Sequence, residues 1–143
     1  MSMLLFKPKY DVFNPAEHNG TFRGNQLAFV GAKAGIDYYT QNNLDSIVRE
    51  KEEIIRIFLE NEILPLDSRL TVRGIGMIWG IDFSAIDSSL AATISHKCFD
   101  NNLVIELAGR KDCVLKILPP LTIEEDELYK GLAIIKDSCI ACL

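Results

Sequence analysis

The spacing of apolar residues predicts two amphipathic helices in the first half of the chain. From residue 25 to about residue 41, apolar side chains recur at the three- and four-residue intervals of one helix face, at Leu27, Val30, Ala34 and Tyr38. A second stripe of this kind extends from about residue 44 to 59, at Ile47, Ile54, Ile55 and Phe58. The charged run over residues 49–53 is predicted to form the solvent-facing side of that second helix.

A different pattern, rich in β-branched and aromatic residues, predicts strands in the second half. Leu70–Phe83 is predicted to form one strand, or two with a bend, and its glycines indicate a bulge or a close backbone approach. Val104–Leu107 and Cys113–Leu118 are two further predicted strands, joined by a hairpin turn over Gly109–Asp112. Because the strands of a hairpin pair antiparallel, the sheet is expected to be mostly antiparallel.

Two more predicted helices complete the order of elements. Ser88 and Ser89 are candidate N-caps for a helix over about residues 90–101. Thr122 and Glu125 have capping-box spacing before a helix over about residues 123–139. The order helix, helix, strand, helix, strand, strand, helix predicts an α+β fold in which a small, mostly antiparallel sheet is covered by helices.

The N-terminal 23 residues lack this periodicity. Leu4–Phe6 is a candidate short strand, and residues 8–23 are predicted to form a loop. The polar run His18–Asn25 then leads directly into the first helix. Free N–H groups of residues 22–25 and the hydroxyl of Thr21 predict an anion site there, to which Arg23 adds positive charge. The same groups equally fit a helix N-cap at Thr21 or Asn25 with no ligand, so the residues alone leave both interpretations open.

Composition narrows the possible partners and location. The 143 residues carry a formal net charge of −5, which argues against nucleic acid as a partner. No apolar stretch is long enough to cross a bilayer, and the apolar run over residues 3–6 is too short for a signal peptide. We therefore expect a cytoplasmic protein with no membrane association, in which the four cysteines are free thiols.

Other candidate sites are less well supported. Cys139 and Cys142 have CxxC spacing, but they fall at the far end of a predicted helix, where two apolar residues of a last turn explain them. A structural zinc site would need two ligands beside these cysteines, and the sequence has no second CxxC or His pair, so no metal site is expected. The glycines over Gly74–Gly80 depart from the dinucleotide fingerprint, because the third glycine comes one position late within a strand pattern.

Three segments resemble, in the same order, sequence blocks of the class III aminotransferases, which use pyridoxal phosphate. The segments are Glu17–Asn25, Val72–Ile81 and Val114–Ile123, and the resemblance extends over most of the chain. The run Asn-Gly-Thr-Phe-Arg-Gly-Asn, and Lys116 before Leu-Pro-Pro-Leu-Thr-Ile, are similar to the ectoine-synthesis subgroup. The resemblance to that subgroup implies transfer of an amino group between a diamino acid, 2,4-diaminobutyrate, and 2-oxoglutarate.

The resemblance implies a fold-type I homodimer with its active site at the subunit interface. Thr21 would contact the phosphate of pyridoxal 5'-phosphate, with Asn19 and Gly20 shaping that contact, while the partner subunit binds most of the phosphate. Lys116 takes a position that is often an arginine binding a substrate carboxylate. Lysine lacks the bidentate fork of arginine, so its grip on a carboxylate would differ.

The resemblance also implies that the chain holds only part of the active site. Residues 1–45 would be the tail of the large cofactor-binding domain and residues 46–143 the C-terminal small domain. The family's Schiff-base lysine lies upstream of the matching segments, so we expect no catalytic residue here and no transamination by the chain alone. A non-catalytic interaction or self-association module, using the apolar face of residues 27–38, is the alternative, and a free-standing anion-binding domain is a third.

Overall fold

A computed structural model describes residues 3–143, and the chain divides into two compact units. The first unit ends at Asn43 and the second extends over Leu44–Leu143. The first two residues of the expected large-domain tail lie outside the described residues.

The described part of the first unit contains one α-helix, α1, over Gln26–Gln41. A short 3-10 turn, Pro8–Tyr10, precedes it. Asn25 is the N-cap of α1, and its side-chain oxygen accepts a hydrogen bond from the backbone N–H of Ala28 at 3.1 Å. The predicted strand at residues 4–6 is wrong, because a strand needs a paired neighbour and the described part of this unit contains no strand.

None of the described residues of the first unit is buried. The apolar side chains that predicted α1 are largely exposed, and 82% of Leu27 and 67% of Val30 are accessible to solvent. The apolar face of α1 is therefore uncovered within its own unit. Most helices in globular proteins are stabilised by packing of such a face.

The second unit contains three helices. These are α2 over Leu44–Phe58, α3 over Leu90–Asp100 and α4 over Glu125–Cys142. A π-helical turn, Leu59–Ile63, and a 3-10 turn, Leu64–Leu66, continue directly from α2.

The starts of α3 and α4 differ from the predicted caps. Ser89 is the N-cap residue of α3 but makes no side-chain cap bond, and the Asp87 carboxylate instead accepts hydrogen bonds from its N–H and hydroxyl at 2.8 Å each. Glu124 is the N-cap of α4, so the predicted capping box is wrong. Thr122 lies two residues before that cap, too early to bond the first-turn N–H groups.

Four antiparallel strands form one sheet in the order β1-β2-β4-β3. The strands are β1 over Thr71–Ile75, β2 over Ile78–Asp82, β3 over Glu106–Ala108 and β4 over Val114–Ile117. The segment predicted as one strand or two is therefore a hairpin. Gly76 makes its turn with φ at +57°, a value that favours glycine.

The core of the second unit lies between the sheet and its helices. Alternate residues of the central strands face it, and α2, α3 and α4 supply the opposing side chains. Its fully buried large side chains include Ile55, Leu59, Ile81, Phe83, Ile94, Leu115 and Leu132. A sheet that buries one face under helices is the α+β architecture expected from the sequence.

Lys51 departs from the prediction that residues 49–53 face solvent. Only 7% of this lysine is exposed, and its ammonium donates to the backbone oxygens of Leu121, at 3.0 Å, and Ile123. Position 51 follows Ile47 and precedes Ile55 by one helical turn each, so it lies on the apolar stripe of α2. The lysine fastens α2 to the segment that leads into α4.

Substitution of Gly74 by alanine is expected to destabilise the second unit. A Cβ there would lie 2.3 Å from the Trp79 ring, which its indole N–H holds in place through a 2.9 Å bond to the Gly76 oxygen. Because the ring has to move, we expect a loss of about 2–3 kcal/mol in the free energy of unfolding, measured by urea denaturation with far-UV circular dichroism.

Gly131→Ala in α4 is the matched control for this substitution. The nearest atom to its new Cβ would be Leu103 Cδ1 at 3.8 Å, an ordinary contact. Alanine in a helix interior is expected to raise the stability by about 0.5–1 kcal/mol. Equal effects of the two substitutions would contradict the packing described for Trp79.

Candidate functional site

The polar run before α1 forms a tight turn that presents Thr21 to solvent. The N–H of Arg23 donates to the Gly20 oxygen at 3.0 Å, and Gly24 has a φ of +77°. Thr21 is exposed, and its hydroxyl has no hydrogen-bond partner within residues 3–143. A free hydroxyl at the start of a helix is a donor available to an anion.

Of the N–H groups of residues 22–25 expected from the sequence, that of Arg23 has an acceptor, and those of Phe22, Gly24 and Asn25 have none among residues 3–143. The Arg23 N–H is used by the turn, and the Ala28 N–H is used by the Asn25 cap. The N–H groups of Gln26 and Leu27, in the first turn of α1, have no acceptor in the described part of the chain. The helix cap and the unbonded donors, which the sequence left as alternatives, therefore occur together. Asn25 provides the cap, and the Thr21 hydroxyl has no partner among the described residues.

The guanidinium of Arg23 is also already in use. It bonds to His18, both at the backbone oxygen, 2.8 Å from Nη1, and at the imidazole, 3.0 Å from Nη2 to Nε2. These contacts fix the place of the guanidinium but leave its positive charge, so the contribution of Arg23 to an anion site stays a prediction. Sequence spacing gave no signal for this contact, which depends on how the turn folds back.

The turn lines an open concavity that a phosphate fits in part. Its walls are residues 20–25 with Ala28 and Phe29, and its volume is about 490 Å³. The donors that line it are the Thr21 hydroxyl, unbonded backbone N–H groups and the Arg23 side chain, which carries one positive charge. A phosphate carries close to two negative charges, so these residues fit a shared phosphate site to which residues outside this loop add positive charge.

Lys116 lies in the second unit, on the central strand β4. Its neighbours Leu115 and Ile117 are buried, and Lys116 itself is half-buried. Its ammonium pairs with the Glu106 carboxylate, which lies directly opposite on β3. Both residues line a mainly apolar pocket of about 410 Å³ with Leu118, Pro119 and Ile123. Lys116 can meet an anion there only in competition with Glu106.

Asn19 and His96 take no part in a built site in the structure. Asn19 is exposed beside Thr21, and no side-chain hydrogen bond involves it among residues 3–143. His96 is exposed on α3. In the described part of the chain, no group of three or more His, Cys, Asp or Glu side chains is placed to hold a metal ion.

The glycines over 74–80 belong to the β1–β2 hairpin, so no helix follows them to bind a dinucleotide phosphate.

No helix within residues 3–143 combines the length and apolar character that crossing a membrane requires.

The cysteines of the second unit are free thiols with different exposure. Cys139 is fully buried on α4, and burial raises the pKa of its thiol to about 12, with the nearby Cys98 and Cys142 acting in the same direction. Burial likewise raises the pKa of the Cys98 thiol. Cys142, in the last turn of α4, is half-buried. A buried thiol with a raised pKa is a poor nucleophile, which agrees with the predicted packing role of Cys139.

Sequence comparison assigns residues 3–139 to the family described as Aminotransferase class-III. A diaminobutyrate--2-oxoglutarate transaminase from Wolinella succinogenes is 42% identical over 139 residues. The match covers 96% of this chain and 32% of that protein, so the chain spans about a third of the length of this relative.

Solved structures show the same fold. An acetylornithine aminotransferase from Elizabethkingia anophelis superposes with a TM-score of 0.71 at 29% identity, over 92% of this chain and 34% of that one. An ornithine aminotransferase from Toxoplasma gondii, with PLP at partial occupancy in its active site, superposes with a TM-score of 0.73 at 22% identity, over 90% and 30% of the two chains. The second likeness supports the fold alone.

Alkylation is expected to separate the two cysteines of α4. At pH 8 a thiol with a pKa of about 12 is ionised in only about one molecule in ten thousand, and Cys139 is also shielded by packing. Iodoacetamide should therefore modify Cys142 in the folded chain and reach Cys139 only after urea unfolding, as read by peptide mass spectrometry. Cys142→Ser is the control that removes the fast site. Equal native rates for both thiols would contradict the burial of Cys139.

Proposed function

The chain belongs to the class-III aminotransferase family, and we propose that it forms the C-terminal third of a pyridoxal-phosphate enzyme. The proposed enzyme transfers an amino group between 2,4-diaminobutyrate and 2-oxoglutarate. The support for this substrate pair is the 42% identity to the Wolinella succinogenes transaminase over 96% of the chain. The homodimeric assembly and cytoplasmic location expected from the sequence are parts of the same proposal.

The observation that carries the proposal is the open Thr21 hydroxyl in the turn before α1. Together with the unbonded N–H groups of Gly24 and Asn25, which line the same concavity, it offers hydrogen-bond donors to a phosphate. Pyridoxal phosphate, when bound, supplies the electron sink for moving an amino group. In this proposal Asn19 and Gly20 shape the turn, and Thr21 donates to a phosphate oxygen.

The proposed site is shared because this loop carries only one cationic side chain among residues 18–25, that of Arg23. A phosphate has close to two negative charges and the Arg23 guanidinium is engaged with His18, so other residues have to balance the rest of the charge. This agrees with the family arrangement, in which the partner subunit binds most of the phosphate. Residues 1–45 then belong to the large domain and residues 46–143 to the small domain, near the boundary between the two compact units.

The chain alone is proposed to be inactive. None of Lys7, Lys9, Lys33 or Lys116 corresponds to the lysine that attaches the cofactor in the family. A chimera tests this directly, with residues 3–139 replacing the matching segment of the Wolinella succinogenes enzyme. The chimera should transfer amino groups between diaminobutyrate and 2-oxoglutarate, whereas the isolated chain with added pyridoxal phosphate should not. Turnover by the isolated chain would contradict the proposal.

A self-association module is the second candidate, favoured by the uncovered face of α1. Leu27 and Val30 are largely exposed on this helix, and exposed apolar patches promote association. Sedimentation velocity at several concentrations distinguishes the candidates. Assembly reversed by Val30→Lys would support the module, and a chain that stays monomeric would exclude it.

Thr21→Ala in the chimera is expected to weaken cofactor binding. Loss of one hydroxyl bond to a charged phosphate costs about 1.5–3 kcal/mol, which is about a 10- to 150-fold higher Kd for pyridoxal phosphate, measured by absorbance titration of the apoenzyme. Thr40→Ala is the matched control, because the Thr40 hydroxyl bonds only to the Ile36 oxygen within α1. An unchanged Kd for Thr21→Ala would contradict the phosphate contact.

Lys116→Gln in the chimera is expected to raise the KM for one carboxylate substrate by about tenfold, because a positive charge facing that carboxylate is lost. Glu106→Gln should lower the same KM, since it frees the Lys116 ammonium from its pair on β3. Lys130→Gln is the control, because it breaks an exposed ion pair with Glu127 on α4. The carboxylate role of Lys116 fails if neither KM changes with Lys116→Gln.

A further inference from the structure

The turn before α1 is held by a chain of side-chain contacts that ends at Arg23. Its Nη1 donates to the His18 backbone oxygen at 2.8 Å. Its Nη2 lies 3.0 Å from Nε2 and 3.4 Å from Nδ1 of the His18 imidazole. One guanidinium therefore fixes both the backbone and the ring of His18, a two-point contact that the planar fork of arginine allows.

His18 is also supported from the side of the preceding loop. The Phe13 ring stacks on its imidazole, with ring centroids 4.7 Å apart and an interplanar angle of 22°. Just before it, the Glu17 carboxylate accepts bonds from the N–H of Asn14, at 2.7 Å, and from its side-chain amide, at 3.0 Å. The loop thus fixes one end of the turn at His18 without a buried core.

Arg23 fixes the other end of the same turn. Its backbone N–H donates to the Gly20 oxygen, and its side chain folds back across Gly20, where an added Cβ would lie 3.6 Å from Arg23 Cγ and Nε. Between His18 and Arg23 lie the residues proposed to meet the phosphate. Closing this segment at both ends reduces the conformational freedom that binding would otherwise have to remove.

We propose that Arg23 is a positioning residue, which orders the Asn19–Thr21 segment through His18 before any phosphate binds, and is not itself a phosphate ligand. The inference rests on the proposed function for its consequence at the cofactor. The ordering itself is a property of the ligand-free chain. The two contacts to His18 use two of the five N–H donors of the guanidinium.

The ligand-free order of the turn separates these two roles. In the ¹⁵N-labelled 143-residue chain without phosphate, the backbone order parameters of Asn19, Gly20 and Thr21 are expected to be about 0.8. Arg23→Gln should lower them below about 0.6, whereas Arg23→Lys, which keeps the charge but lacks the planar fork, should give intermediate values. Lys33→Gln, which removes an exposed pair with Asp37 on α1, is the control and should change none of them.

Two further measurements complete the test. His18→Ala should lower the same order parameters, and adding Arg23→Gln to it should lower them no further, since both act through one contact. In the chimera, Arg23→Gln should raise the Kd for pyridoxal phosphate about tenfold. Order parameters that are already below about 0.6 in the unsubstituted chain, or that Arg23→Gln leaves unchanged, would overturn the proposal.

The outcomes separate this inference from the proposed function. A loss of order with an unchanged cofactor Kd would overturn the link between ordering and cofactor binding. If Thr21→Ala changes the cofactor Kd but Arg23→Gln leaves the order parameters unchanged, the phosphate site is supported and the positioning role of Arg23 is overturned. If Arg23→Gln lowers the order parameters of the isolated chain but the chimera is inactive, the proposed function fails while the positioning role of Arg23 is supported.

Discussion

Burial of one face of the four-stranded sheet under α2, α3 and α4 is the interaction on which the second unit depends. Leu115 and Ile117 of the central strand face that core, so the alternation of a strand directs the intervening Lys116 away from it. The pairing register then sets Glu106 directly opposite Lys116. The chemistry available at Lys116 is thus a consequence of which face of the sheet is apolar.

The first unit follows a different rule, because none of its described residues is buried. Local hydrogen bonds, the Asn25 cap and the His18–Arg23 contact hold the turn before α1. Local bonds of this kind order a segment without covering the apolar face of its helix. The apolar face of α1 therefore stays exposed among the described residues.

Sequence patterns predicted the elements well where periodicity was long and failed where a single tertiary contact decided the outcome. The bounds of α1 and α2 and the closing hairpin follow from apolar spacing and turn residues. Lys51 was predicted to face solvent because a charge run is usually hydrated, but its place on the apolar stripe and two backbone acceptors keep it inside. The His18–Arg23 contact was missed because it forms between two residues of an aperiodic loop. The phosphate and carboxylate roles of Thr21 and Lys116 come from the family resemblance and stay predictions.

The central claim is that this chain supplies preformed hydroxyl and N–H donors of a phosphate site, and that the cationic ligands of the phosphate lie outside this loop. A crystal structure of the chimera with pyridoxal phosphate tests it most directly. The account predicts the Thr21 hydroxyl within about 3 Å of a phosphate oxygen, with the cationic contacts coming from residues outside this loop and Arg23 still bonded to His18. A phosphate held without Thr21, or one gripped directly by the Arg23 guanidinium, would contradict it.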